Sequence, residues 1–255
     1  MIKISKYLLI SILKSRFMLG YGLLLFIIST GLFLMSNDQD KAIIGIHNII
    51  LIMIPLVVMI YSVSQIYQAT DFVRLLLTQP IKRQTIFYSQ YLSNVIALLL
   101  VHLVSIGLSL ILFSDGSFLI PILANCFFLT LIFSSISSLI AYAINEKVKG
   151  IGVTIFLGIY FLAIYDGLIL FIIQGMSDYP IEKYGILLSL FNPIDLCRIL
   201  FIFKMDVSAL MGLTGAIMQQ FLGSALGSAI IYLTLTIWAI LPLYIAKRLF
   251  IKKDY

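Results

Sequence analysis

The residues of this chain whose types and spacing could do chemistry fall in three places. The first is the interval Gln65–Tyr88, QIYQATDFVRLLLTQPIKRQTIFY, the most polar and most basic stretch between long apolar runs. On a helical wheel Gln65, Gln68, Asp71, Arg74 and Thr78 share one side, and Ile66, Ala69, Phe72, Val73, Leu76 and Leu77 share the other. A helix of that kind lies at a membrane surface, buttressed by its apolar side and open to a soluble partner on its polar side. Pro80 ends it, since proline has no N–H for the ladder and turns Gln79 away from helical angles. Lys82 and Arg83 follow, two cations that favour the helix dipole and an anionic leaflet.

The second place is the run Asn192–Arg198. Asn192 before Pro193 reads as an N-cap with proline at the first helical position, and Asp195 and Arg198, three apart, pair on one helix face. The third is a scatter of polar groups within apolar runs. Asp166 is the one carboxylate in a predicted membrane core, where an ionised group costs several kcal/mol unless paired or hydrated, so Asp166 and His102 are intramembrane candidates. The plainer reading places Asp166 near the exterior end, bonded to a neighbour such as Tyr165 or to water. His47 and His102 lie in different spans, so a bis-histidine haem site would need them to face each other; side chains satisfied within the bundle are the simpler expectation. Cys126 and Cys197 form no disulfide framework and read as small packing residues. The sequence has no phosphate-binding Gly-x-x-x-x-Gly-Lys-Ser/Thr loop, no nucleophile elbow, no His-Glu-x-x-His and no Cys-x-x-Cys. The expectation is a non-enzyme with no catalytic residue, no metal site and no cofactor of its own.

The elements that position these residues are membrane helices. The chain is 62% hydrophobic and 11% charged, against roughly 25% charged in a soluble domain. Its apolar runs predict six spans, over about 17–35, 42–64, 89–113, 118–144, 151–173 and 225–246, in one all-α transmembrane domain over 1–255. Residues 1–16 predict an amphipathic interfacial elbow helix, 65–88 a cytoplasmic coupling segment, and 174–223 an exterior cap of short or half-inserted helices. Pro55 is expected to kink the second span, and the serines of 134–138 to let helices approach closely. With both termini cytoplasmic, 13 of the 17 Lys and Arg fall inside, leaving Lys41, Lys183, Arg198 and Lys204 outside. The net charge of +6 is therefore topological, since the basic residues flank spans and make no nucleic-acid face.

Two stretches also carry a family resemblance. Leu75-Leu76-Leu77-Thr78-Gln79-Pro80-Ile81-Lys82-Arg83 resembles the segment after the second membrane helix of ABC type-2 permeases, and Asn192-Pro193-Ile194-Asp195-Leu196-Cys197-Arg198 is similar to the signature before their last membrane helix in the NosY-like branch. That family often carries glutamates ahead of the leucine run, where this chain has Arg74 and, upstream, Asp71. The resemblance implies a multi-pass permease of the bacterial inner membrane, a homodimer among membrane lipids, which docks a cytoplasmic ABC ATPase carrying the ATP and Mg. Gln68, Asp71, Arg74, Leu76, Leu77, Gln79, Pro80 and Arg83, with the 145–150 turn, would couple to the ATPase. Asn192, Pro193, Asp195 and Arg198 would form an exterior gate or meet a periplasmic partner. The implied task is copper-site maturation of nitrous oxide reductase; export of a lipid, antibiotic or peptide, and a non-transporting membrane anchor, are the rival readings.

Overall fold

Where water is excluded every backbone N–H and C=O needs a partner within its own segment, so long apolar runs fold as helices. In the computed structural model, which describes residues 2–36, 38–175, 188–205 and 225–253, the regular structure is helical throughout the described residues. The helices are α1 (Ile2–Leu13), α2 (Arg16–Met35), α3 (Gln39–Gln68), α4 (Thr70–Leu77), α5 (Arg83–His102), α6 (Leu108–Phe113), α7 (Leu119–Ala143), α8 (Lys147–Ile159), α9 (Tyr165–Gly175), α10 (Pro193–Lys204) and α11 (Ala225–Lys252). Wide π turns over Leu103–Gly107 and Tyr160–Ile164 join α5 to α6 and α8 to α9 without a break. Among the described residues six helices are long and apolar enough to cross a membrane: Arg16–Met35, Gln39–Gln68, Arg83–Phe113, Leu119–Ala143, Lys147–Ile172 and Leu226–Lys252.

Local chemistry sets several of the ends. Ser15 caps α2 by accepting from the Met18 N–H at 3.3 Å, and Asn192 caps α10 by accepting from the Ile194 N–H at 3.1 Å, with Pro193 at the first position. Several boundaries differ from expectation: the fifth span starts at Lys147 and the last runs on to Lys252. The second span runs on to Gln68, and the amphipathic stretch read as one helix from Gln65 is broken at Ala69 into the last turn of α3 and the separate α4. The third span starts at Arg83, so less of the 65–88 segment is loop than expected. Helix α1 packs along α5: Ser93 Oγ donates to the Ser5 carbonyl at 3.0 Å, and Tyr7 stacks on Phe72 of α4 with ring centroids 5.9 Å apart.

The core is organised around α7. Its Leu129, Ile132 and Phe133 are fully buried, and so are Ser134, Ser135 and Ser137. Ser135, Ser137 and the neighbouring Ser138 stay satisfied in hydrocarbon by bonding back one turn, to the carbonyls of Leu131 at 2.8 Å, Phe133 at 2.6 Å and Ser134 at 2.8 Å, while the Ser134 hydroxyl meets Ser62 Oγ of α3 at 3.5 Å. Their small volume lets neighbours close in, and Ser137 Oγ also reaches the Met59 carbonyl of α3 at 3.2 Å while the Tyr91 hydroxyl of α5 meets Ser135 Oγ at 2.9 Å.

Candidate functional sites at the two ends of the bundle

At one end sits α4. Val73 is buried in a small apolar cluster with Ile86, Phe87, Tyr142, Ala246 and Phe250, and Leu76, Leu77 and Ile81 pack partly against it. This anchoring leaves Gln68, Asp71, Arg74, Gln79, Pro80 and Arg83 exposed. The expected partition between the faces is thus present, with Leu76 and Leu77 as buttresses. Leu75, which the helical wheel did not single out, is 67% exposed beside Arg74, so an apolar side chain stands in the polar face. Asp71 and Arg74 pair at 3.5 Å at the surface, an interaction worth at most ~1 kcal/mol. Arg83 donates to the carbonyls of Ile251 at 2.7 Å and Lys253 at 3.1 Å, tying the start of α5 to the end of α11.

Behind α4 opens a cavity of about 310 Å³ lined by Tyr67, Thr70, Arg74, Gln90, Asn145 and Lys253 among others. It brings together two segments expected to act jointly, the coupling stretch and the 145–150 turn, and adds the C-terminal lysine, which the sequence reading left aside. Burial pulls Lys253 below the usual lysine value.

The other end holds a cluster that unites two separate expectations. Arg198 lies 2.9 Å from Asp195 Oδ1 and 3.2 Å from Asp166 Oδ2, bridging α10 and α9. Asn192 Nδ2 donates to the Phe161 carbonyl at 3.0 Å and to Asp195 Oδ2 at 3.1 Å, and reaches Asp166 Oδ1 at 3.4 Å. Asp166 is therefore paired with the Asn192–Arg198 motif, while Tyr165, its expected partner, donates instead to the Leu188 carbonyl at 2.6 Å. Helix α10 lies outside the six spans, yet it is no superficial cap: Pro193, Ile194, Asp195, Leu196 and Cys197 are buried, and Asn125 of α7 donates to the Cys197 carbonyl at 3.0 Å. Of the predicted cap, 176–187 and 206–223 lie outside the described residues, Lys183 among them. Burial first, and then the Asp166 carboxylate, push Asp195 up to about 6 against the pull of Arg198.

The two histidines have opposite surroundings. His102 is 1% exposed and fully satisfied. Thr130 Oγ1 spends its proton on the Cys126 carbonyl at 2.7 Å, so it accepts from His102 Nδ1–H at 3.1 Å, and Nε2 is left to accept from the Tyr21 hydroxyl at 3.0 Å. This neutral tautomer has no free nitrogen for a ligand. His47 is equally buried, stacked on Phe201 with centroids 3.7 Å apart, and neither ring nitrogen has a hydrogen-bond partner. The sequence reading singled out His102 and not His47; the difference in their surroundings lies in which helices face each ring, which no local pattern encodes. Among the described residues no group of three or more His, Cys, Asp or Glu is placed to hold a metal ion.

Compared with known proteins, the chain matches no family model and no curated protein.

Proposed function

We propose that this chain is the membrane permease subunit of an ATP-driven transporter of the ABC type-2 kind, nearest in motif to the NosY-like branch, with both termini cytoplasmic. The observation that carries the reading is α4: an eight-residue helix between the second and third spans, anchored by Val73 and offering Asp71, Arg74 and Leu75 outward, with Gln68 exposed at the end of α3 beside it. A cytoplasmic ATPase seated on that face would push on α3 and α5 together, because α4 is joined to both by short connections. ATP and Mg would reside on that partner. Helix α1 would serve as the elbow at the inner surface, and a homodimer would give two such faces. The Asp166–Asn192–Asp195–Arg198 cluster at the far end fits an exterior gate or the seat of a periplasmic partner, and copper-site maturation of nitrous oxide reductase in the bacterial inner membrane is the task the motif resemblance favours.

Co-purification from membranes, with ATPase activity measured on the captured complex, tests the reading. Arg74→Glu and Leu75→Asp should each weaken capture of the ATPase roughly thirtyfold, the loss of a central interface side chain. Lys41→Ala, at the other end, should leave it unchanged. Capture and coupled hydrolysis at wild-type level in correctly inserted Arg74→Glu and Leu75→Asp proteins would refute the proposal.

A further inference from the structure

Between α2 and the α5–α6 span runs an apolar groove of about 570 Å³, walled by Met18, Leu19, Leu23 and Phe26 on one side and Val104 and Leu108 on the other. Its volume falls within the roughly 300–1,000 Å³ of small-ligand sites. Gly22 forms its floor: a Cβ there would lie 3.1 Å from Val101 Cγ1 and 3.2 Å from Ser105 Oγ, so the helices touch at that point and diverge around it. Leu19, Leu23 and Val104 along the rim are 64%, 61% and 59% exposed, directed to the hydrocarbon and not to the core.

Depth and charge identify the occupant. Residues 17–35 carry no charge, so Arg16 and Lys14 mark the level where α2 enters the bilayer, and the groove begins there, next to Leu13 and Met18. From Met18 to Phe26 it extends about 12 Å into the core, along α2. Lys14 and Arg16, within two residues in the chain of the lining Leu13 and Met18, are both exposed, and neither is in an ion pair among the described residues. An apolar slot with two cations at its interfacial end matches one chemistry, an acyl chain below an anionic headgroup.

We infer that this groove is a binding site for an anionic phospholipid, its chain lying between α2 and α5–α6 and its phosphate held by Lys14 and Arg16. The site depends only on the membrane-spanning character of the helices, and it stands or falls separately from the ATPase reading.

Native mass spectrometry of the purified protein, with phosphatidylglycerol and phosphatidylcholine of identical chains, tests it. The wild type should retain phosphatidylglycerol preferentially, and Lys14→Ala and Arg16→Ala should each cut that preference about fivefold, the contribution of one interfacial cation. Val104→Trp, which fills the slot from an exposed position, should expel both lipids, while Leu34→Trp, 75% exposed on α2 outside the groove, should expel neither. An unchanged lipid preference in the Lys14→Ala/Arg16→Ala protein, or lipid loss in Leu34→Trp equal to that in Val104→Trp, would overturn the assignment. So would efficient disulfide cross-linking of Leu23→Cys protomers in membranes, because the groove would then be filled by a second copy of the chain.

Discussion

Arg198 stands between two carboxylates, and removing it leaves Asp166 and Asp195 facing each other across a partly buried gap. Breaking a fully buried pair costs roughly 3–5 kcal/mol. Because the Arg198 side chain is 41% exposed, Arg198→Ala should cost less, about 2 kcal/mol, read from denaturation in detergent. Asp195→Asn placed on top of it should recover part of that loss by removing one of the opposed charges; simple additivity of the two changes would show that Arg198 and Asp195 are not coupled. Protonation reports on the same contact. Asp195 is raised above its ordinary value of 3.8 to about 6, so the folded state binds the proton more tightly than the unfolded one. The stability that proton contributes is complete below about 4 and is lost as pH rises through about 6. The melting temperature of the wild type should therefore fall relative to Asp195→Asn between those limits and run parallel above them; parallel curves throughout would mean that Asp195 is not shifted. At this scale the sequence showed the local half of the cluster, the Asn192 cap and the Asp195–Arg198 spacing. It could not show Asp166 joining them, since that contact depends on how α9 and α10 come to lie together, and no local pattern encodes it.

At the scale of elements, helix type and number were readable from apolar run length alone, because hydrocarbon leaves the backbone no alternative to the helix. The faces of α4 were readable too, as periodicity placed Val73 inward and Asp71 and Arg74 outward. The break at Ala69 was not, for no Gly or Pro marks it; it lets Val73 reach Phe87 and Phe250, a tertiary gain that outweighs helix continuity. The junction of α3 with α8 depends on a glycine. A methyl group at Gly150 would overlap the ring of Tyr67, whose hydroxyl donates to the Ile144 carbonyl at 2.8 Å. Gly150→Ala should therefore destabilise by about 1–3 kcal/mol, the usual cost of overpacking. In a Tyr67→Ala background the same substitution should cost almost nothing. Equal costs in both backgrounds would mean that the glycine serves some purpose other than this contact.

For the whole molecule, the question is which end faces the cytoplasm. Contacts far apart in sequence establish the ends themselves. Arg83 binds the carbonyls of Ile251 and Lys253, Arg74, Asn145 and Lys253 share one cavity, and Tyr7 stacks on Phe72, so α1, α4, the 145–150 turn and the C-terminal residues gather at one end. At the other, Phe33 stacks on Phe113 with centroids 5.9 Å apart and His47 stacks on Phe201. Of the four cations that the sequence reading put outside, Lys41, Arg198 and Lys204 belong to this second end, and Lys183 lies outside the described residues. Asymmetry of that size favours the cation-rich end inside. A membrane-impermeant thiol reagent added to intact cells should accordingly label Asp38→Cys and Asp115→Cys and leave Lys147→Cys and Lys252→Cys unmodified until the membrane is opened. The native Cys126 and Cys197 are both buried and should remain silent in each variant. Labelling of Lys147→Cys from outside, with Asp38→Cys protected, would turn the molecule over: α4 would then face away from any cytoplasmic ATPase, and the Arg198 cluster would lie on the nucleotide side.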